Sequence, residues 1–113
     1  MTEPALRDAA AFKPLTDGDG LAITVTTTAS APAGIPGTAG AGEANNIVRL
    51  RIANTGSSNA CIRFGVTANL NCIEILSGTV EMFTVPYSPN GVSLSAICRS
   101  GTTVIQATAG VGY

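Results

Sequence analysis

The stretch NNIVRLRIANTGSSNACIRFG, residues 45–65, contains the clearest strand pattern in the chain. Its first part, IVRLRIAN, alternates apolar residues with arginines, and its last part, ACIRFG, alternates them with a cysteine and an arginine. Period-2 alternation predicts strands that each have one buried and one exposed face. The break between them, NTGSSN, supplies the Asn and Gly that a turn between antiparallel strands requires. We therefore predict an antiparallel hairpin here.

The alternation places arginines on the faces opposite the core. They are Arg49, Arg51 and Arg63. Two interpretations are open for them: a solvated sheet face, or a strip of ion pairs between subunits that meets carboxylates such as Glu74 and Glu81. A planar guanidinium suits the second role better than a lysine ammonium does. The three arginines and the terminal aromatic Tyr113 are the candidate interface residues.

Further segments with strand patterns follow at short intervals, separated by turns that contain Gly, Ser or Pro. They are residues 21–29, 72–76, 79–85, 91–99 and 102–109. This spacing predicts an all-β, antiparallel β-sandwich of about seven strands, jelly-roll or immunoglobulin-like in type. The apolar residues at alternating positions of these segments are the expected core. They are Val48, Leu50, Ile52, Ile62, Phe64, Ile73, Ile75, Val92 and Leu94.

A chain of 113 residues suits a single domain. Residues 21–113 are predicted to form it, preceded by a flexible N-terminal arm, residues 1–20. Residues 30–44, SAPAGIPGTAGAGEA, contain two prolines and four glycines and are predicted to be a long loop. We expect the arm and the loop to gain order on assembly, because the entropy lost in ordering them is offset only by new contacts.

Charge and hydropathy exclude several classes of partner. Charged residues make up 12% of the chain and the net charge is −1, with no cluster of cations. Phosphate binding requires clustered Lys or Arg, so we expect no nucleic-acid partner. No apolar run is long enough to span a membrane. The N-terminus lacks the cationic and apolar regions of a secretory signal, so we expect synthesis and folding in a cytosol.

The residue types that carry out most acid–base and nucleophilic chemistry are scarce. There is no histidine, which excludes the Ser-His and Cys-His catalytic pairs. Cys61, Cys72 and Cys98 form no C-x-x-C motif and fall short of a four-ligand zinc site. We expect buried structural thiols, with a single bridge between residues 61 and 72 or 72 and 98 as the open alternative. We expect no catalytic residues, no cofactor, no metal, and no enzymatic activity.

Three motifs resemble small structural proteins of tailed-bacteriophage and prophage virions. VRLRIANTGSSNACIRFG, residues 48–65, is similar to a hairpin of those proteins with an Asn-Thr-Gly turn and a following Phe-Gly strand. LSGTVEMFTVP, residues 76–86, is similar to their strand that follows a Pro-Gly or Ser-Gly turn. VSLSAICRSGTTVIQATAGVGY, residues 92–113, is similar to their closing hairpin with its Gly-rich end. The resemblance covers residues 47–113.

The resemblance implies a capsid decoration, cement or head-associated protein. The expected partners are the major capsid protein or other virion proteins, together with further copies of the chain in a symmetric oligomer such as a trimer. The expected location is the virion, after synthesis in the host cytoplasm. Two alternatives are open: a receptor- or glycan-binding module displayed on the virion, and a tail or connector component. A glycan site would need exposed aromatics, and the chain offers Phe12, Phe64, Phe83, Tyr87 and Tyr113.

Overall fold

The structure is a computed structural model and describes residues 13–14, 20–38, 47–86 and 90–111. These residues contain strands and connections but no helix. Most of the predicted N-terminal arm lies outside the described residues, as do the second half of the predicted loop and Tyr113.

Nine strands are present in the described residues. They are β1 (Lys13–Pro14), β2 (Leu21–Val25), β3 (Ala33–Gly34), β4 (Ile47–Asn54), β5 (Ala60–Phe64), β6 (Ile73–Ile75), β7 (Val80–Pro86), β8 (Ser93–Ile97) and β9 (Thr103–Val111). Every pairing between them is antiparallel. The prediction of an all-β antiparallel fold is confirmed. The number of strands is nine rather than about seven, because β1 and β3, of two residues each, are too short to show an alternation.

The strands form two sheets. Sheet A has the order β1-β9-β4-β7, with β2 also paired to β9, and sheet B has the order β3-β8-β5-β6. The pairings from β2 onward are nested: β2 with β9, β3 with β8, β4 with β7, and β5 with β6. The chain from β2 to β9 is thus a long antiparallel ribbon folded back on itself. The pairings β4 with β9 and β5 with β8 complete the two sheets.

The predictions of a hairpin at residues 45–65 and of a closing hairpin at residues 92–113 are both wrong. β4 pairs with β7 and β9 in sheet A, whereas β5 pairs with β6 and β8 in sheet B. In the same way β8 belongs to sheet B and β9 to sheet A. The NTGSSN connection therefore carries the chain from one sheet to the other. The alternation is the same in either arrangement, since each strand still presents one apolar face to a core.

One buried cluster lies between the sheets and includes side chains from both of them. Of the expected core residues, the following are buried: Val48, Leu50, Ile52, Ile62, Ile75, Val92 and Leu94. Phe64 is half-buried and packs against this cluster, with its ring edge-on to Phe83 at a centroid distance of 5.8 Å. The prediction for Ile73 is wrong, because it lies on the end strand of sheet B and remains 42% exposed.

Asn54, the first residue of the NTG turn, is a buried polar side chain that is only 1% exposed. Its Nδ2 donates to the carbonyl oxygens of Ser58 at 2.8 Å and Ile75 at 3.0 Å. Its Oδ1 accepts from the Gly56 N–H at 3.2 Å and from Thr103 Oγ1 at 2.5 Å. One amide group thus connects β4, β6, β9 and the turn, and it joins sheet A to sheet B.

Gly56 in the same turn is required by close packing. A Cβ at this position would lie 2.7 Å from the Cα of Thr103, a distance at which the backbone of β9 would have to move. The turn and β9 are held together at this point, since Thr55 N–H also donates to the Val104 carbonyl oxygen at 2.9 Å.

The first half of the predicted loop, residues 30–38, packs against β8. Ile35, its one large aliphatic residue, is buried and belongs to the core cluster. Thr38 Oγ1 donates to the Ile35 carbonyl oxygen at 2.7 Å and accepts from the Val92 N–H at 2.8 Å. This part of the segment is therefore anchored within the single chain, and the expectation that it orders only on assembly is wrong for residues 30–38.

Candidate functional site

The outer face of sheet A is formed by β2, β9, β4 and β7. Arg49 and Arg51 project from β4 on this face. Successive side chains of a strand alternate between its two sides, and Leu50 and Ile52 point into the core. The rest of the face consists of small, β-branched and neutral side chains: Ala22, Thr24, Val80, Met82, Thr84, Val104, Gln106 and Thr108. Among the described side chains of this face, the two arginines are the charged ones.

Arg63 lies on the other sheet. It projects from β5 on the outer side of sheet B, opposite Ser95, and its Nη1 lies 3.5 Å from the Thr67 carbonyl oxygen. The structure thus brings Arg49 and Arg51 together and separates both from Arg63, since β4 and β5 belong to different sheets. The fourth candidate, Tyr113, lies outside the described residues.

The connection between β5 and β6, residues 65–72, folds over the outer side of sheet B. The Ala68 N–H donates to Ser95 Oγ at 2.9 Å, and Arg99 Nη2 donates to the Leu70 carbonyl oxygen at 2.8 Å. This cover buries Cys61 to 2% exposure. The expectation of a buried thiol is confirmed for Cys61. Its burial comes from this connection, since the alternation of β5 alone places Cys61 on the same outer side as Arg63.

All three thiols are free in the structure. Cys61 and Cys98 are buried, and Cys72 is half-buried, with its Sγ 3.2 Å from Asn69 Oδ1. Burial raises the pKa of the Cys61 thiol, and the neighbouring Glu74 carboxylate adds to the rise, while the Arg99 guanidinium opposes it. A raised pKa reduces the thiolate fraction at a given pH, and the thiolate is the reactive species.

Alkylation should therefore discriminate among the three cysteines. We expect iodoacetamide at mildly alkaline pH to modify Cys72 at least about tenfold faster than Cys61 or Cys98 in the folded protein, because Cys72 is the most accessible thiol. Peptide mass spectrometry over a time course measures the three rates, and the urea-unfolded chain is the control in which they should converge. Equal rates for Cys61 and Cys72 in the folded protein would contradict the cover over sheet B.

A polar groove of about 320 Å³ lies where the β4–β5 connection, β6 and the β8–β9 connection meet. Its lining consists of Ser57, Ser58, Asn59, Glu74, Arg99 and Ser100. Hydroxyl, amide, carboxylate and guanidinium groups in one groove can donate and accept hydrogen bonds with a ligand rich in hydroxyl groups. The described lining contains no aromatic ring. Sequence reasoning missed the groove because its residues come from three separate segments.

The two carboxylates of the described region lie on different sheets. Glu74 of β6 is opposite Cys61 in sheet B, and Glu81 of β7 is opposite Ile52 in sheet A. Within the part of the chain that the structure describes, no three His, Cys, Asp or Glu side chains are placed to hold a metal ion. The same described ranges contain no helix with the length and apolarity needed to cross a bilayer.

Comparison of the chain with family models, with curated proteins and with solved structures gave no significant match.

Proposed function

We propose that this chain is a structural virion protein, a jelly-roll β-sandwich that forms a homo-oligomer, binds the capsid lattice of a tailed phage and stabilises or decorates the head. The observation that carries the proposal is the outer face of sheet A, a broad surface of small and neutral side chains with two arginines. The resemblance of the sequence to virion proteins favours a phage particle as the partner that this surface binds.

The nested pairing supports a jelly roll rather than an immunoglobulin-like sandwich. A jelly roll is a double-sheet fold of eight strands in two Greek keys, and rolling up one long antiparallel ribbon produces it. The pairs from β2 with β9 to β5 with β6 follow that order. An immunoglobulin-like sandwich instead pairs its first two strands with each other. Jelly rolls occur in viral capsid proteins and in lectins, which fits both the leading function and its alternative.

The composition of the sheet A face favours burial against another protein. Cores of protein interfaces are depleted in charged residues other than arginine, as this face is. A specific contact needs roughly 800 Å² per partner, and a whole face of a small sheet can supply an area of that order. A surface of this size with few charges makes a free subunit poorly soluble. Assembly covers that surface and so removes this disadvantage.

In this proposal the N-terminal arm is a tether that strengthens binding to the capsid, and its truncation tests that part of the proposed function. Lys13 and Pro14 pair with β9, so the cut belongs before them, after residue 12. We expect the full chain to bind particles that lack it, saturably and at a fixed ratio to the major capsid protein. Removing residues 1–12 should weaken this binding about tenfold or more while far-UV circular dichroism is unchanged, since a tether raises the effective concentration of the other contacts.

The control for the truncation replaces residues 1–12 with a Gly/Ser segment of equal length, which keeps the reach but removes the side chains. Sedimentation of particles with bound protein gives the affinity. Equal binding by the full and truncated chains would remove the arm from the proposal, and the absence of saturable binding by the full chain would end it. Separated heads and tails in the same assay distinguish a head protein from a tail or connector component.

A second candidate function, a displayed glycan- or receptor-binding module, is favoured by the polar groove. A glycan array tests it, with Glu74→Gln to remove a groove carboxylate and Glu81→Gln as the matched substitution on the other sheet. Competable binding that is lost in the first variant and kept in the second would favour the groove as a binding site. The absence of array binding would argue against it.

A further inference from the structure

Two of the three thiols meet at the connection of residues 65–72 on the outer side of sheet B. Cys61 projects from β5, and its Sγ donates to the Leu70 carbonyl oxygen at 3.8 Å. Cys72 ends the connection, and its Sγ accepts from the Asn69 N–H at 3.3 Å. Both sulfurs therefore contact the turn of residues 69–72, one from the sheet below it and the other from within it.

The β5–β6 register brings these two cysteines close together. Glu74, two residues after Cys72, lies directly opposite Cys61. In an antiparallel pair, a residue two positions from the directly opposite one is the diagonal neighbour, at a distance of about 7–8 Å. The pKa of Cys61 agrees with this placement, because burial and the Glu74 carboxylate raise that pKa and the charge of Cys72 raises it further.

A disulfide needs a somewhat closer approach than the diagonal position gives. Its Cβ atoms are about 3.5–4.5 Å apart, so the turn of residues 69–72 has to move toward β5 by roughly 2–3 Å. Cys72 lies outside β6, which begins at Ile73, and its N–H donates to the carbonyl oxygen of Asn69 at 3.4 Å. This bond lies within the turn, so it is kept when the turn moves as a unit.

The third thiol, Cys98, lies on the other side of sheet B. Its neighbour Ile97 is opposite Cys61 in the β5–β8 register, so Cys98 points the other way, into the core. It is 1% exposed, belongs to the core cluster, and donates from Sγ to the Gly101 carbonyl oxygen at 3.2 Å. Of the two bridges that the sequence leaves open, the one between residues 61 and 72 has both sulfurs on one side of the sheet.

We propose that Cys61 and Cys72 are a redox-active pair. A small-molecule disulfide such as oxidised glutathione converts the pair into a disulfide bond, which holds the connection of residues 65–72 against sheet B. A cytosol keeps thiols reduced, whereas the medium outside a lysed cell favours the bond. The inference rests on the proposed function in one respect, because a virion protein passes from the first environment to the second.

The reaction begins at Cys72, because it is the more accessible thiol of the pair. Its thiolate attacks one sulfur of oxidised glutathione, the S–S bond of glutathione breaks, and one glutathione leaves. Cys61 then attacks the Cys72 Sγ, which forms the bond within the protein and releases the second glutathione. The two cysteines lose two electrons in total, and the two glutathiones gain these electrons and the two thiol protons.

Peptide mapping of the full chain after exposure to oxidised glutathione tests the pair. Trypsin together with a protease that cleaves after glutamate places the three cysteines on separate peptides, residues 52–63, 64–74 and 82–99. Within hours we expect the first two peptides to be joined and the intact chain to have lost two hydrogen atoms. Reduction with dithiothreitol should restore both thiols.

Two matched variants separate the pair from the third cysteine. Cys72→Ser should form no internal bridge, whereas Cys98→Ser, which changes the thiol on the core side, should form it as the wild type does. The bond should also raise the Tm of the wild type by about 5 °C or more, since the cross-link restricts the unfolded chain. Cys72→Ser treated in the same way should show no rise, and circular dichroism verifies that each variant is folded.

Several results would overturn the pair. They are a glutathione that stays on Cys72 while Cys61 remains free, a dimer joined through Cys72, and a bridge that includes Cys98. An unchanged Tm of the cross-linked wild type would overturn the hold on the connection. None of these measurements uses a particle. A bridge in a chain that binds no capsid would refute the proposed function and leave this inference standing, whereas saturable capsid binding by a chain that keeps both thiols free would do the reverse.

Discussion

Replacing Asn54 with Asp is expected to lower the free energy of unfolding by about 4 kcal/mol or more. The Asn54 Nδ2 donates to the carbonyl oxygens of Ser58 and Ile75 at 2.8 and 3.0 Å. Aspartate puts an acceptor oxygen in place of that donor, so two carbonyl oxygens lose their partner and face a buried carboxylate. A chain of 113 residues has roughly 6–17 kcal/mol of stability in total, so this loss is a large part of it.

Urea denaturation followed by circular dichroism measures the effect, and Asn59→Asp is the matched control. Asn59 is exposed, and its Oδ1 accepts from the Ser77 N–H at 2.8 Å, a bond that a carboxylate oxygen also makes. We expect that control to change stability by no more than about 0.5 kcal/mol. A loss below about 1 kcal/mol for Asn54→Asp would show that this amide does not join the two sheets as described.

Replacing Leu50 with Ala is expected to lower the free energy of unfolding by about 3 kcal/mol. Leu50 is fully buried in β4, between Phe83 of β7 and Ala109 of β9. Its small neighbour Ala109 cannot fill the space that the lost methyl groups leave, so a cavity remains between the sheets.

The same substitution at an exposed leucine is the control for Leu50→Ala. Leu76 is 51% exposed, and we expect Leu76→Ala to lower stability by less than about 1 kcal/mol. Both variants are denatured at about 1 µM, where association between copies contributes least to stability. Similar losses at the two positions would contradict the placement of β4 at the centre of sheet A.

Local periodicity was sufficient to predict which side chains of a strand are buried. Val48, Leu50 and Ile52 were predicted correctly because a strand places alternate residues on one face whatever its partners are. The partners themselves depend on contacts that are distant in sequence. NTGSSN has the composition of a hairpin turn, yet the buried Asn54 amide binds β6 and β9 and directs the chain into the other sheet.

Exposure at the edges and under the connections was not predictable from alternation. Ile73 has the same pattern as a core residue, but its strand ends sheet B. Cys61 has the pattern of an exposed residue, but the connection of residues 65–72 covers it. The candidate surfaces follow the same rule. The shared face of Arg49 and Arg51 followed from the alternation of β4 alone, whereas the polar groove depended on three segments that are distant in sequence.

Quantitative mass spectrometry of purified phage particles tests the virion assignment most directly. Particles produced by the host strain that carries the gene are isolated on a density gradient, and the chain is counted against the major capsid protein with labelled peptides from both. We expect a fixed, high copy number that is unchanged after a second gradient. A protein that is absent from the particles, or whose ratio to the major capsid protein varies between gradients, would contradict a structural role in the virion.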